Sequence, residues 1–137
     1  MSSQPDTSEY LLLFRGTVWD KGLSPEEIQN IMTQWMNWLE RLTKEGKVKA
    51  AQPLTNEGKI VSWEKKLVIS DGPFAESKEA VGGYFLLYST HDEAVEIAKQ
   101  CPALKHGVIV EVRPVADQCA SMERMKEHLT HATSKPA

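Results

Sequence analysis

Two helical stripes set among short apolar runs organise this chain. The first run, Tyr10-Leu11-Leu12-Leu13-Phe14, is continuous, which predicts a central strand covered on both faces. A loop over 16–22 carries Trp19 and Asp20. Ser24-Pro25-Glu26-Glu27 then combines an N-cap serine, a proline at the first helical position and a capping-box glutamate. Apolar residues recur at Ile28, Ile31, Met32, Trp35, Met36, Leu39 and Leu42, one broad stripe to lie on a sheet. Lys44, Gly46 and Lys47 suit the helix end. Residues 48–54 read as a strand near an edge, because Pro53 cannot donate to a ladder. Residues 60–63 and 66–69 read as a hairpin around Glu64-Lys65. Tyr84 to Tyr88 is another strand that is apolar on both faces. Thr90-His91-Asp92-Glu93 opens a second helix with Ala94, Ile97, Ala98 and Cys101 inward, ended by Pro102. Val108, Val110 and Val112 share one face of a last strand, and Ile109, Glu111 and Arg113 the other. Residues 117–131 carry a thin apolar edge of Cys119, Met122, Met125 and Leu129, predicting a tail helix.

The order β-α-β, hairpin, β-α-β predicts an α+β, ferredoxin-like βαββαβ sandwich with a hairpin insertion, over residues 9–115. Residues 116–137 form a helical tail in this reading. Both helices then cover one face of the sheet. Yet Leu11 and Leu13 share the second face with Arg15, and Tyr84, Leu86 and Tyr88 oppose Phe85 and Leu87. Something must cover that face. A second copy is the simplest cover, since isologous pairing is the commonest route to an oligomer; the hairpin is the rival.

Composition changes this picture little. The 137 residues are 41% hydrophobic and 26% charged, ordinary for one soluble domain. A net charge of −3 argues against a nucleic-acid partner, and no apolar run is long enough to span a membrane. The N-terminus lacks the basic start and apolar stretch of a secretory signal, which places the protein in the cytoplasm. Cys101 and Cys119 then read as reduced core thiols.

The chemistry concentrates at 70–85, where Asp71-Gly72-Pro73-Phe74-Ala75-Glu76 and Lys78-Glu79 lead through Gly82-Gly83 into Tyr84-Phe85. Asp71 has two readings. Its carboxylate either staples an Asx-type turn, or points into a cleft as a general base. Glu76 and Glu79 share a face if that stretch is helical, either solvated or, with further ligands, holding a divalent cation; no metal and no cofactor is assigned. Gly82-Gly83 suits a bulge or close packing rather than a phosphate loop, because no helix follows. Arg15 and Arg113 end neighbouring strands and either fork around an anion or pair with Glu111. Tyr84 and Tyr88 read as core or interface aromatics, with a hydroxyl available at a cleft. The tryptophans read as packing residues, with Trp19 the one placed to line a pocket. No serine or cysteine sits in the context of an activated nucleophile.

The Asp-Gly-Pro-Phe segment, Gly82-Gly83-Tyr84-Phe85, Asp92-Glu93-Ala94, Cys101-Pro102 and Val110-Glu111-Val112-Arg113-Pro114-Val115 together resemble the DGPF branch of the YCII-related bacterial proteins. That resemblance implies a dimeric α/β barrel joined through sheet faces, an unassigned but suspected enzymatic role, and sigma-factor-linked relatives. The wider family's helix-one histidine, partner to an aspartate, has no counterpart here: residues 25–44 contain no histidine. The expectation is a homodimer that binds a small polar or anionic metabolite in a cleft. Asp71 would be the base of cofactor-independent acid-base chemistry, with Arg15, Arg113, Tyr84, Glu76 and Trp19 around the substrate. The alternative is a non-catalytic ligand-binding module or one with a regulatory protein partner.

Overall fold

The computed structural model describes residues 6–73, 77 and 79–134, with side chains described to residue 130. Six strands and three helices follow in order: β1 (Ser8–Arg15), α1 (Pro25–Lys44), β2 (Val48–Pro53), β3 (Lys59–Trp63), β4 (Leu67–Asp71), β5 (Val81–Ser89), α2 (His91–Ala98), β6 (Ile109–Pro114) and α3 (Ala120–Ser134). A short 3-10 turn at Leu104–His106 precedes β6. β2, β5, β1 and β6 form an antiparallel sheet in that order, and β3 and β4 form a separate two-stranded ribbon. This mixed α+β architecture is compatible with a ferredoxin-like fold. β2 lies at a sheet edge, where Pro53 leaves no central ladder bond unmade.

α1 starts where its local chemistry directs. The Ser24 hydroxyl accepts the Glu27 N–H at 3.1 Å, and the Glu27 carboxylate accepts the Ser24 N–H at 3.0 Å. That backbone bond from Ser24, followed by the serine hydroxyl, holds the Glu27 carboxyl below its ordinary value. At α2 the Thr90 hydroxyl likewise accepts the Glu93 N–H.

The core lies between the helices and one sheet face. Tyr10, Leu12, Phe14, Phe85 and Leu87 pack with Ile31, Trp38 and Leu42 of α1 and Ala94, Ile97 and Ala98 of α2. Edge-to-face and tilted rings join Phe14 to Trp35, Phe14 to Phe85 and Trp38 to Phe85 at centroid distances of 4.8–5.0 Å. The α1 stripe is rotated from the sequence expectation: Trp38 is buried, whereas Met36 is 57% exposed. The reason is the sheet beneath, where the Phe14 and Phe85 rings accept an indole from above.

On the far face, Leu11 stands opposite Leu86 and Leu13 opposite Tyr84. All four are half-buried, and Tyr88 is exposed. The ribbon does not cover them, since Val61, Trp63, Leu67 and Ile69 are themselves exposed. Trp63 is therefore no packing residue of its own chain. Met122, Met125 and Leu129 of α3 are exposed as well. Among the described residues, no helix is long and apolar enough to cross a membrane.

Candidate functional site

A groove of about 410 Å³ opens between α1, the loop after β1, and the adjoining ends of β2 and β5. Such a volume suits a small molecule. Its walls are chiefly apolar: Trp19 from the loop, Met32, Trp35 and Met36 from successive turns of α1, and Leu54 after β2. Arg15, Gln52 and Asn56 bring polar groups to the lining.

The floor is shaped by Gly82-Gly83. Pairing of β1 with β5 skips from Phe14↔Gly83 to Arg15↔Val81, so Gly82 is an extra residue at the strand entrance, a bulge as the sequence suggested. A Cβ on Gly83 would stand 3.0 Å from the Gln52 carbonyl oxygen, and one on Gly82 3.0 Å from the Thr17 methyl. The Gly82 carbonyl accepts the Leu54 N–H at 2.9 Å, drawing that residue over the groove. Close backbone approach, rather than phosphate binding, explains the pair.

Arg15 borders the groove, while its guanidinium lies on the far face with Leu11 and Leu13, beside Glu79 and Glu111. Nη1 is 3.6 Å from Glu79 Oε1, and Nε is 3.6 Å from Glu111 Oε1, too long for a hydrogen bond. Nε is buried and has no hydrogen-bond acceptor among the described residues. Arg113 does not join Arg15 in a fork. In the antiparallel register, Arg113 faces Leu11 while Arg15 faces Ile109. Four residues of strand, roughly 13 Å, separate the two positions. Arg113 instead donates to Glu111 Oε2 at 3.0 Å, so Glu111 stands between the two arginines.

Asp71 lies elsewhere. It ends β4, 88% exposed at its side chain, with its carboxylate accepting from Lys59 Nζ across the ribbon. The turn beside it is tied by backbone, Gly72 N–H to Gly58 carbonyl at 3.0 Å, and the Gly72–Pro73 peptide is cis. Asp71 borders an open recess with Asn56, Lys59 and Pro73, and Asn56 also lines the groove. The two depressions therefore adjoin. The structure brings Arg15, Trp19 and Tyr84 to the groove and leaves Asp71 in the neighbouring recess. Glu76 lies outside the described residues, so the Glu76/Glu79 pair is not placed; Glu79 is exposed. Sequence reasoning missed Leu54 and Asn56 as lining residues. Their only signal was a position just after an edge strand.

The cysteines differ from the expectation of two core thiols. Cys101 is buried, and that burial pushes its thiol up to about 11. Cys119 is exposed at the start of α3, where the Ser121 and Met122 N–H groups, then the Ser121 hydroxyl, hold its thiol below the ordinary value. Iodoacetamide on the native protein at neutral pH is expected to label Cys119 faster than a free model thiol. Cys101 should be labelled only after denaturation. Peptide mass spectrometry reads both, and equal native rates for the two would refute the assignment.

The model of the YCII-related domain matches residues 10–117. The chain belongs to the YCII-related family. The match runs from β1 through β6, so it takes in the groove, the ribbon and the Asp71 recess. A search among curated proteins found no match. Among the described residues, no group of three or more His, Cys, Asp or Glu side chains is placed to hold a metal ion.

Proposed function

We propose that this YCII-related protein binds a small molecule with a flat apolar body and an anionic end, the body in the groove and the anion toward Arg15. One observation carries the reading: a mostly apolar groove is bordered by an arginine whose buried Nε has no hydrogen-bond acceptor among the described residues. Buried polar groups are normally hydrogen-bonded, and a carboxylate is the acceptor a guanidinium meets best. The apolar lining refines the expected polar metabolite toward an amphipathic one. Trp19 and Trp35 suit a planar ring, and exposed methionines adapt to varied outlines.

The resemblance to the DGPF branch, and the half-buried apolar far face, support a homodimer joined through sheet faces as a dimeric α/β barrel. In the catalytic version of this reading, a ligand extending past Asn56 meets Asp71, whose carboxylate takes a proton. Asp71 is exposed, paired with Lys59 and set in the neighbouring recess, so the reading rests on binding.

The test uses 2-naphthoate and its uncharged counterpart 2-naphthalenemethanol, with quenching of tryptophan fluorescence as the readout. Naphthoate is expected to bind at least about tenfold more tightly, a difference of roughly 1.4 kcal/mol. Arg15→Gln should remove that preference while leaving the alcohol's affinity unchanged. If neither probe binds, or if Arg15→Gln leaves the preference intact, the site is elsewhere.

A further inference from the structure

The β3–β4 ribbon carries large apolar side chains that its own fold leaves uncovered. Its register pairs Val61 with Ile69 and Trp63 with Leu67, so four large apolar side chains share one face. They are 62%, 62%, 74% and 60% exposed, respectively. A two-stranded ribbon is marginal in water without a surface to pack on, and an exposed apolar ribbon of this kind is an association site.

We propose that this ribbon is an arm that clasps a second copy of the chain. The inference rests on the dimer reading above and adds to it the element that reaches across. Two features favour a copy of this chain over another partner. The first is charge. Lys59 and Asp71 pair at the base of the ribbon, and Glu64, Lys65 and Lys66 occupy its tip. The uncovered far face of the main sheet is likewise edged by mixed pairs, Glu9 with Lys49 and Glu111 with Arg113. Both surfaces have an apolar centre and a rim of both signs, the anatomy of an interface. Such rims can meet each other without placing like charges together, and they select no strongly acidic or basic partner.

The second is area. Burying a tryptophan removes about 150–250 Å² from water, and the three aliphatic residues add less each. The ribbon alone thus falls short of the roughly 800 Å² per partner that a stable interface needs. The far face adds Leu11, Leu13, Tyr84, Leu86 and the exposed Tyr88 to that area, and two-fold pairing covers both surfaces on both copies.

Sedimentation velocity of the full chain across a concentration series tests this, with two ribbon variants, Val61→Asp/Ile69→Asp and Trp63→Ser/Leu67→Ser. Far-UV circular dichroism and the cooperative melt report whether each variant keeps its fold. The wild type is expected to be a dimer, and each folded variant to dissociate at least about tenfold more readily. A wild-type dimer whose folded variants dimerise equally well overturns the arm and leaves the dimer standing. A wild type that stays monomeric overturns both. Binding to phosphatidylcholine–phosphatidylserine vesicles in place of self-association, lost in both variants, also overturns it by naming a lipid surface as the occupant.

Discussion

Replacing Trp38 by alanine is expected to lower the free energy of unfolding by about 3–5 kcal/mol, the usual cost of emptying a buried aromatic site. Trp38 is 3% exposed and sits over Phe14 and Phe85, with Trp35 beside it at 5.8 Å. Alanine leaves a void beneath α1 that these rigid rings cannot collapse to fill. It also removes the indole N–H that reaches Gln100 Oε1 at 3.1 Å, a link between α1 and the end of α2. Gln100 keeps Arg41 as a donor, so most of the loss is packing rather than a stranded amide. At fixed protein concentration the urea midpoint should fall by more than about 1 M. A fall below a few tenths of a molar would show that the aromatic cluster does not hold the helix to the sheet.

Gly16→Ala is expected to cost about 2–3 kcal/mol and to distort the groove. Gly16 has φ +89°, where an L side chain crowds its own carbonyl at a cost of roughly 1–2 kcal/mol. Its Cβ would also stand 3.0 Å from the Gly107 carbonyl oxygen, a backbone atom with little room to retreat. The Gly16 N–H donates to the Ala80 carbonyl at 3.2 Å, so any shift of the loop reaches the entrance to β5. Gly22→Ala supplies the control. Its φ is +88°, but no atom lies within 4 Å of the added Cβ. Gly22→Ala should therefore show the dihedral cost alone, and the excess at Gly16 measures the contact. Thermal melts giving equal losses at the two positions would remove the contact from the account. With Gly16 lining the groove, naphthoate affinity should fall for Gly16→Ala and hold for Gly22→Ala.

Features set by neighbours in sequence were legible before the fold was known. Ser24-Pro25-Glu26-Glu27 marks the start of α1 because a capping box closes within four residues. The strands at Tyr10 to Phe14 and Tyr84 to Tyr88, with their two apolar faces, follow from alternation along a pleat. The ribbon follows from paired apolar runs around a turn, and the Gly82-Gly83 bulge from residues that lack a Cβ. Less was readable at the site. Trp19 and Arg15 do line the groove, but the groove itself is made by α1, β2 and β5, far apart along the chain.

Sequence alone determined the order of elements, their caps and which strand faces are apolar, because these depend on contacts a few residues away. Tertiary structure decided what required a register or an orientation. Antiparallel pairing of β1 with β6 parts Arg15 from Arg113 and sets Glu111 between them. The rings on the sheet turn Trp38 inward and leave Met32 and Met36 to the groove. The ribbon's departure from the sheet exposes Trp63 and carries Asp71 away from Arg15 into a separate recess. Each of these is a long-range distance, and no local pattern of side chains encodes one.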